Sequence, residues 1–298
     1  MQFKFFKNLH IFCFQSPVTL TLEALHEELA NSPFRSCNQQ EWFTMGWVPP
    51  FEQDNDKEAA FVYEANHCLL FTLRRQDKIL PPATVRDFVK EKLVQLEAEL
   101  GRKARKFEKE ELKERIIFER LPQALPRNSE TSAYIDLQQN WLVINTPSRK
   151  KAEEVVNFLR DSLGSLPVVP PQLQQSPAPV MTHWLRSQKP PTPFTLGEDC
   201  HLVTSEKESV TCKNVDLSSS AVQAHLKAGK VVQYLSLQWA DRITFTLDED
   251  FAIKRLKYLE IIPEQGEDVY ADFTVMTGEL TNLITQLFEL FGADSIEE

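Results

Sequence analysis

An α+β fold is predicted for this 298-residue chain by three features of its sequence. Strand-like and helix-like segments come in clusters, not in the strict alternation of a βαβ protein. A run of strand patterns, Val231–Trp239, Arg242–Leu247 and Phe251–Leu259, follows a single short helix near the C-terminus. The segment Pro81–Arg120 holds the longest helical pattern, one whose length would carry it out of a compact domain. Several subdomains with mixed or antiparallel sheets are expected, with a projecting long helix or helical hairpin among them.

The elements follow from local patterns. Residues 1–15 alternate loosely through Phe3, Phe5, Leu9, Ile11 and Cys13, as a half-buried strand would. Leu22, Leu25 and Leu29 share one helical face within Leu20–Ala30, and Asn31-Ser32-Pro33 stops that helix. Cys68–Leu73 is a short apolar strand. Ala133–Thr146 divides into two strands at Gln138-Gln139-Asn140. Ser148 caps a helix with apolar positions Ala152, Val155, Val156, Leu159 and Leu163, and Gly164 ends it.

Pro81 and Pro82 suit a helix start. Val85, Val89, Leu93, Leu96 and Leu100 then form one apolar stripe. Gly101 weakens the middle, and Phe107, Leu112 and Ile116 continue the pattern to Leu121-Pro122. One helix or a hairpin of two satisfies this spacing; forty residues in one helix reach about 60 Å. Eight prolines in 166–193 mark an extended linker. A helix at Ser219–Ala228 closes at Gly229, and a last helix carries Leu280, Leu283, Ile284, Leu287, Phe288 and Phe291 before Gly292. The expected organisation is a central α+β domain (1–80 with 121–165), a helical tip (81–120), the linker (166–193) and a C-terminal α+β domain (194–298).

The formal charge is −10, which for the chain as a whole argues against a polyanionic partner. The excess is local, however. From Asp241 to Glu298 there are 14 acidic and 4 basic residues, whereas Arg74–Arg120 holds 14 basic and 10 acidic. No apolar run approaches the roughly 18 residues of a membrane span, and the N-terminus lacks the form of a signal peptide. Five widely spaced cysteines without a CxxC pair are expected as reduced thiols in a cytoplasmic protein.

Catalytic chemistry is hard to place. The 8 glycines include no GxxxxGK[ST] or GxGxxG arrangement for phosphates. The 6 histidines form no HExxH or HxxxH pair, and no cysteine lies at zinc-finger spacing from them. There is no GxSxG elbow, and carboxylate pairs such as Glu97 with Glu99 sit on a charged helix as solvated residues. Neither catalytic residues, a metal site nor a cofactor is expected. Trp42 and Trp47, flanking Met45-Gly46, lack interleaved cations and are expected in core or turn packing.

The basic runs carry more. Residues 101–109 place five cations against one acid, and Arg102 with Lys106, then Lys109 and Lys113, can track one helical edge. Arg74, Arg75 and Lys78 precede that helix. Aligned cations neutralise phosphates and release counterions, which is the sequence-independent part of DNA affinity. A solvated helix with i,i+4 ion pairs explains the same run, because Glu108, Glu110, Glu111 and Glu114 follow closely. A second cluster, Arg149-Lys150-Lys151, lies at a helix start, where cations oppose the dipole.

MGWVPP (45–50), KILP (78–81), KKAE (150–153), SLGSLPVVP (162–170), WLRS (184–187), AGKVV (228–232), KRLK (254–257) and MTGEL (276–280) together resemble the bacterial recombination-associated RdgC family from end to end. The resemblance implies a non-enzymatic, nucleoid-associated DNA-binding protein of the cytoplasm. It further implies a homodimer that forms a ring around duplex DNA without strong sequence preference and restrains the RecA recombinase. Arg74, Arg75, Lys78, Arg102, Lys103, Arg105, Lys106, Lys109 and Lys113 then become leading phosphate contacts, with Lys227 and Lys230 weaker ones. The family's ring gate places an aromatic finger in a partner pocket. Here Leu125 stands at the finger position and Lys213, Asn214 and Val215 at the pocket, with Asn214 and Val215 where the family pattern has Lys and Gln. The alternative is an acidic protein-interaction module that contacts recombination factors and touches DNA only incidentally. The resemblance implies double-stranded DNA as the partner, with single-stranded DNA as a second.

Overall fold

The computed structural model describes residues 3–51, 60–259 and 268–293. It divides into two compact units, one formed by Met1–Glu28, Pro49–Phe71 and Thr131–Glu298, the other by Leu29–Val48 and Thr72–Glu130. Strands β4 (Cys68–Ile79) and β5 (Leu125–Asp136) each contribute residues to both. The fold is mixed α+β, and every ladder with a described register is antiparallel.

In the first unit, β1 (Leu9–Phe14) pairs with β6 (Trp141–Asn145), with β7 (Val168–Val169) and with β12 (Ile253–Tyr258). The ladder continues through β11 (Ile243–Asp248), β10 (Val231–Trp239), β8 (Phe194–Val203) and β9 (Ser209–Cys212). The last four residues of β5 pair with β6, and β3 (Val62–Ala65) pairs with the first four residues of β4. Helices α4 (Arg149–Leu163), α5 (Pro177–Ser187), α6 (Ser220–Lys227) and α7 (Val269–Phe291) complete the unit.

The core forms because α7 repeats apolar residues at helical spacing. Phe273, Met276, Leu280, Leu283, Ile284, Leu287 and Phe291 are all fully buried against strand residues such as Leu9, Leu235 and Phe245. Each such side chain contributes about 1.5–3 kcal/mol of transfer free energy. Asp268 caps the helix by accepting from Tyr270 N–H, and Gly292 ends it in the left-handed conformation.

The proline-rich segment expected as an extended linker holds β7 and the 11-residue α5. Pro177 stands in the first turn of α5, where no N–H is needed, so its presence starts the helix instead of breaking it. Met181, Trp184 and Leu185 are buried, and Thr182 Oγ1 accepts from Val232 N–H at 2.9 Å, tying α5 to β10.

The second unit orders β2 (Phe43–Val48), β4 and β5 in one sheet, with Phe43 opposite Asp77 and Val48 opposite Thr72. Helix α1 (Leu22–Ala30) contributes its last residues to this unit. The long helical pattern is a hairpin: α2 (Pro82–Leu100) ends at Gly101, whose φ of 61° is left-handed, and α3 (Lys106–Arg120) begins five residues later. A glycine adopts that φ without strain, so Gly101 decides between the two arrangements the periodicity allowed.

Candidate nucleic-acid interface

The structure sorts the expected cations by what each already touches. Arg74 donates to Glu130 Oε1 from Nη2 at 2.6 Å and from Nε at 2.8 Å, and its guanidinium lies 5.3 Å from the Phe34 ring centre. Arg75 forks onto Asp77, with Nη2 2.8 Å from Oδ1, and lies 4.1 Å from the Phe43 ring centre. The Lys78 ammonium donates to the carbonyls of Asn38 at 2.6 Å and Gln39 at 2.7 Å, closing the loop before β2. These three side chains fasten β4 to its neighbours.

Arg102 belongs to the hairpin turn. Its guanidinium donates to both oxygens of Glu108, at 2.7 and 3.0 Å, while Arg105 N–H donates to Glu108 Oε2 at 2.6 Å. Glu108 thereby caps the first turn of α3, where an anion also suits the helix dipole. The Arg102 hydrogen bonds, then the Arg105 amide, hold the Glu108 carboxyl down to about 2. Its folded-state value lies below the unfolded one, so its contribution is full at neutral pH. That contribution is lost as pH falls through about 4.5 toward 2. The protection factor of the Arg105 amide, measured against its intrinsic exchange rate, should therefore fall over that window, and Glu108→Ala should show the reduced protection at neutral pH.

Lys103, Arg105, Lys106, Lys109 and Lys113 differ from these. All five are exposed, and none makes an ion pair among the described residues. Lys106, Lys109 and Lys113 follow one another at helical spacing on α3, so a cationic edge without ion pairs among the described residues runs from the hairpin turn along the helix, with Glu110 beside it. The expected i,i+4 pairing is confined to Arg115 with Glu111, at 4.0 Å on the same helix. Exposed pairs of that kind contribute little.

In the first unit, Lys227 is exposed at the end of α6, whereas Lys230 is buried to 8% exposure and stands 3.8 Å from Glu208. Arg149, at the start of α4, is shared between Glu153 at 3.1 Å and Asp250 at 3.7 Å. Leu125, at the start of β5, is 76% exposed, the most of the large apolar side chains among the described residues. Lys213 and Asn214 are exposed, as is Val215 at 37%. Asn214 takes a left-handed φ of 51°, and its N–H donates to Asp199 Oδ1 at 3.0 Å.

Trp47 is buried as expected, but Trp42 is 46% exposed beside α2. Among the described residues no three of His, Cys, Asp and Glu gather as a metal site would need, and no helix is long and apolar enough to cross a membrane. The five cysteines are unpaired, with burial raising the Cys13 thiol to about 11 and the Cys200 thiol to about 12.

The chain is an α+β protein that carries a cationic edge on a helical hairpin. The comparisons with known proteins place it further. A family model described as "Putative exonuclease, RdgC" matches residues 4–294. A recombination-associated protein RdgC of Tolumonas auensis is 37% identical, covering 98% of this chain and 99% of the relative. Those of Pseudomonas syringae pv. tomato and Proteus mirabilis, under the same description, are 38% and 35% identical with similar coverage. The chain belongs to the RdgC family of recombination-associated proteins.

Proposed function

We propose that the protein binds duplex DNA through its phosphates, without reading base sequence and without catalysing a reaction. The observation that carries this reading is the set of exposed cations without ion pairs on α3 and the hairpin turn: Lys103, Arg105, Lys106, Lys109 and Lys113. Phosphate contacts position a duplex but carry no sequence information. The local character of the positive charge accommodates a chain whose total is −10. Acid elsewhere on the molecule costs little where salt screens charges beyond about 10 Å.

The finer reading is a homodimer that encircles DNA in the nucleoid and restrains a RecA-type recombinase. Leu125 is exposed and so available for a dimer contact there, and covering its apolar surface would be favourable. Val215 of a second copy is its proposed counterpart, with Lys213 and Asn214 beside it. Leu125→Asp should shift the sedimenting species from dimer toward monomer and shorten retention on closed circular plasmid. An unchanged dimer constant would overturn this contact.

Salt titration tests the main reading. For Z neutralised phosphates, log K falls with log[salt] at a slope of about −0.9Z. A slope near zero would favour a protein-interaction module. Tighter retention on closed circles than on linear duplex supports encirclement, and equal retention removes it. Release of nucleotides from either DNA by the purified protein would overturn the non-catalytic part.

A further inference from the structure

The three lysines of α3 have a second role in the geometry, because they overhang an apolar groove. Between α2 and α3 lies a depression of about 790 Å³, within the range of clefts that hold ligands, about 300–1,000 Å³. Its apolar lining comes from Trp42, Leu80, Pro82, Val85, Val89 and Ile117. Phosphates have no use for such a lining. Single-stranded bases would call for a series of aromatic rings among the cations, and Trp42 is the only aromatic residue lining the groove.

The rim is almost wholly positive. Arg86 and Lys90 stand on the α2 side and Lys106, Lys109 and Lys113 on the α3 side, against a single acid, Glu110. Of these cations only Lys90 has an ionic neighbour among the described residues, the exposed Asp87 at 3.8 Å. Apolar lining and cationic rim together describe the complement of one kind of chain, acidic along its length with apolar anchors.

We propose that this groove docks an acidic peptide segment of a partner protein, with one or two large apolar side chains seated on Val85, Val89 and Ile117 and carboxylates facing the lysines. Helices that present alternate anchors to such a groove are a recurring form of recognition. The same lysines are proposed phosphate contacts, so peptide and duplex would exclude one another at this hairpin. Release from DNA would then follow from capture of an acidic partner.

Trp42 supplies the readout, because the other four tryptophans are buried. The probe is a synthetic peptide of about twelve residues, Glu and Asp with Leu or Phe at every third or fourth position. It should shield Trp42 from acrylamide quenching and retain measurable affinity at high salt. A peptide of equal charge with Gly in place of Leu and Phe should bind about tenfold more weakly. Val89→Gln, a half-buried position on α2, should weaken the peptide about tenfold while leaving duplex affinity unchanged. Lys103→Gln, outside the groove, should do the reverse, which separates failure of this proposal from failure of DNA binding. Trp42→Ala, followed by fluorescence anisotropy of a labelled peptide, covers the case in which Val89→Gln fails to fold. Equal binding of the two peptides, unchanged binding in both groove variants, or stronger shielding of Trp42 by an oligothymidylate would overturn the proposal.

Discussion

Replacing Lys103, Lys106, Lys109 and Lys113 together with glutamine should lower duplex affinity about a thousandfold at 0.1 M salt. Each phosphate contact removed reduces the slope of log K against log[salt] by about 0.9, so the four should reduce it by nearly four per subunit. Fold should be unaffected, since all four side chains are exposed and make no ion pair among the described residues. The matching control comes from the other sequence-derived candidates. Arg74 and Arg75 already face Glu130 and Asp77 at hydrogen-bond distance. Their charges are largely compensated, so Arg74→Gln should lose stability through Glu130 and Phe34 more than it loses DNA. Filter binding across a salt series measures the slope, and a thermal melt measures stability. If the Arg74 variant flattened the slope as much as the four lysines, cation availability would not be what selects the contacts.

How much of this was legible in the sequence depended on whether an element's pattern was local. The helices α4 and α7 and the strands β10 to β12 were readable because caps and apolar spacing lie within the elements themselves. So was the cationic run. Its division into available and occupied cations was not, because Glu130 lies 56 residues from Arg74, and the carbonyls that hold Lys78 lie 39 and 40 residues before it. Strand β8 was hidden by Gly197, Glu198 and Asp199 and by the register shifts in its pairing with β10. Helix α5 was hidden by prolines that read as extended chain. The groove beside Trp42 was unreadable for a related reason: its apolar lining mixes Leu80 and Val85 with Ile117, which only the hairpin brings together.

The strand β2 was missed because Met45-Gly46 looks like a turn, and the structure gives Gly46 a different task. The chain at residues 32–34 crosses directly over it: Phe34 N–H donates to the Trp47 carbonyl at 2.9 Å, and Trp47 N–H donates to the Ser32 carbonyl at 3.0 Å. A Cβ at position 46 would lie 2.5 Å from Phe34 N and 2.7 Å from Pro33 C, and nearer still to Phe34 Cα. Those are backbone atoms, held by hydrogen bonds on both sides of the contact, so no side-chain rotation relieves the overlap. Gly46→Ala should therefore destabilise the second unit by about 3 kcal/mol or more, at the upper end of overpacking costs, and Gly46→Val by more. The damage should begin locally, as proteolytic cleavage within 29–48 and faster amide exchange at Phe34 and Trp47, with DNA binding lost only as the unit unfolds. Ala at position 46 with stability within about 0.5 kcal/mol of the parent, the range of ordinary surface substitutions, would mean that 32–34 can lift away, and that the glycine of this motif serves something other than close packing.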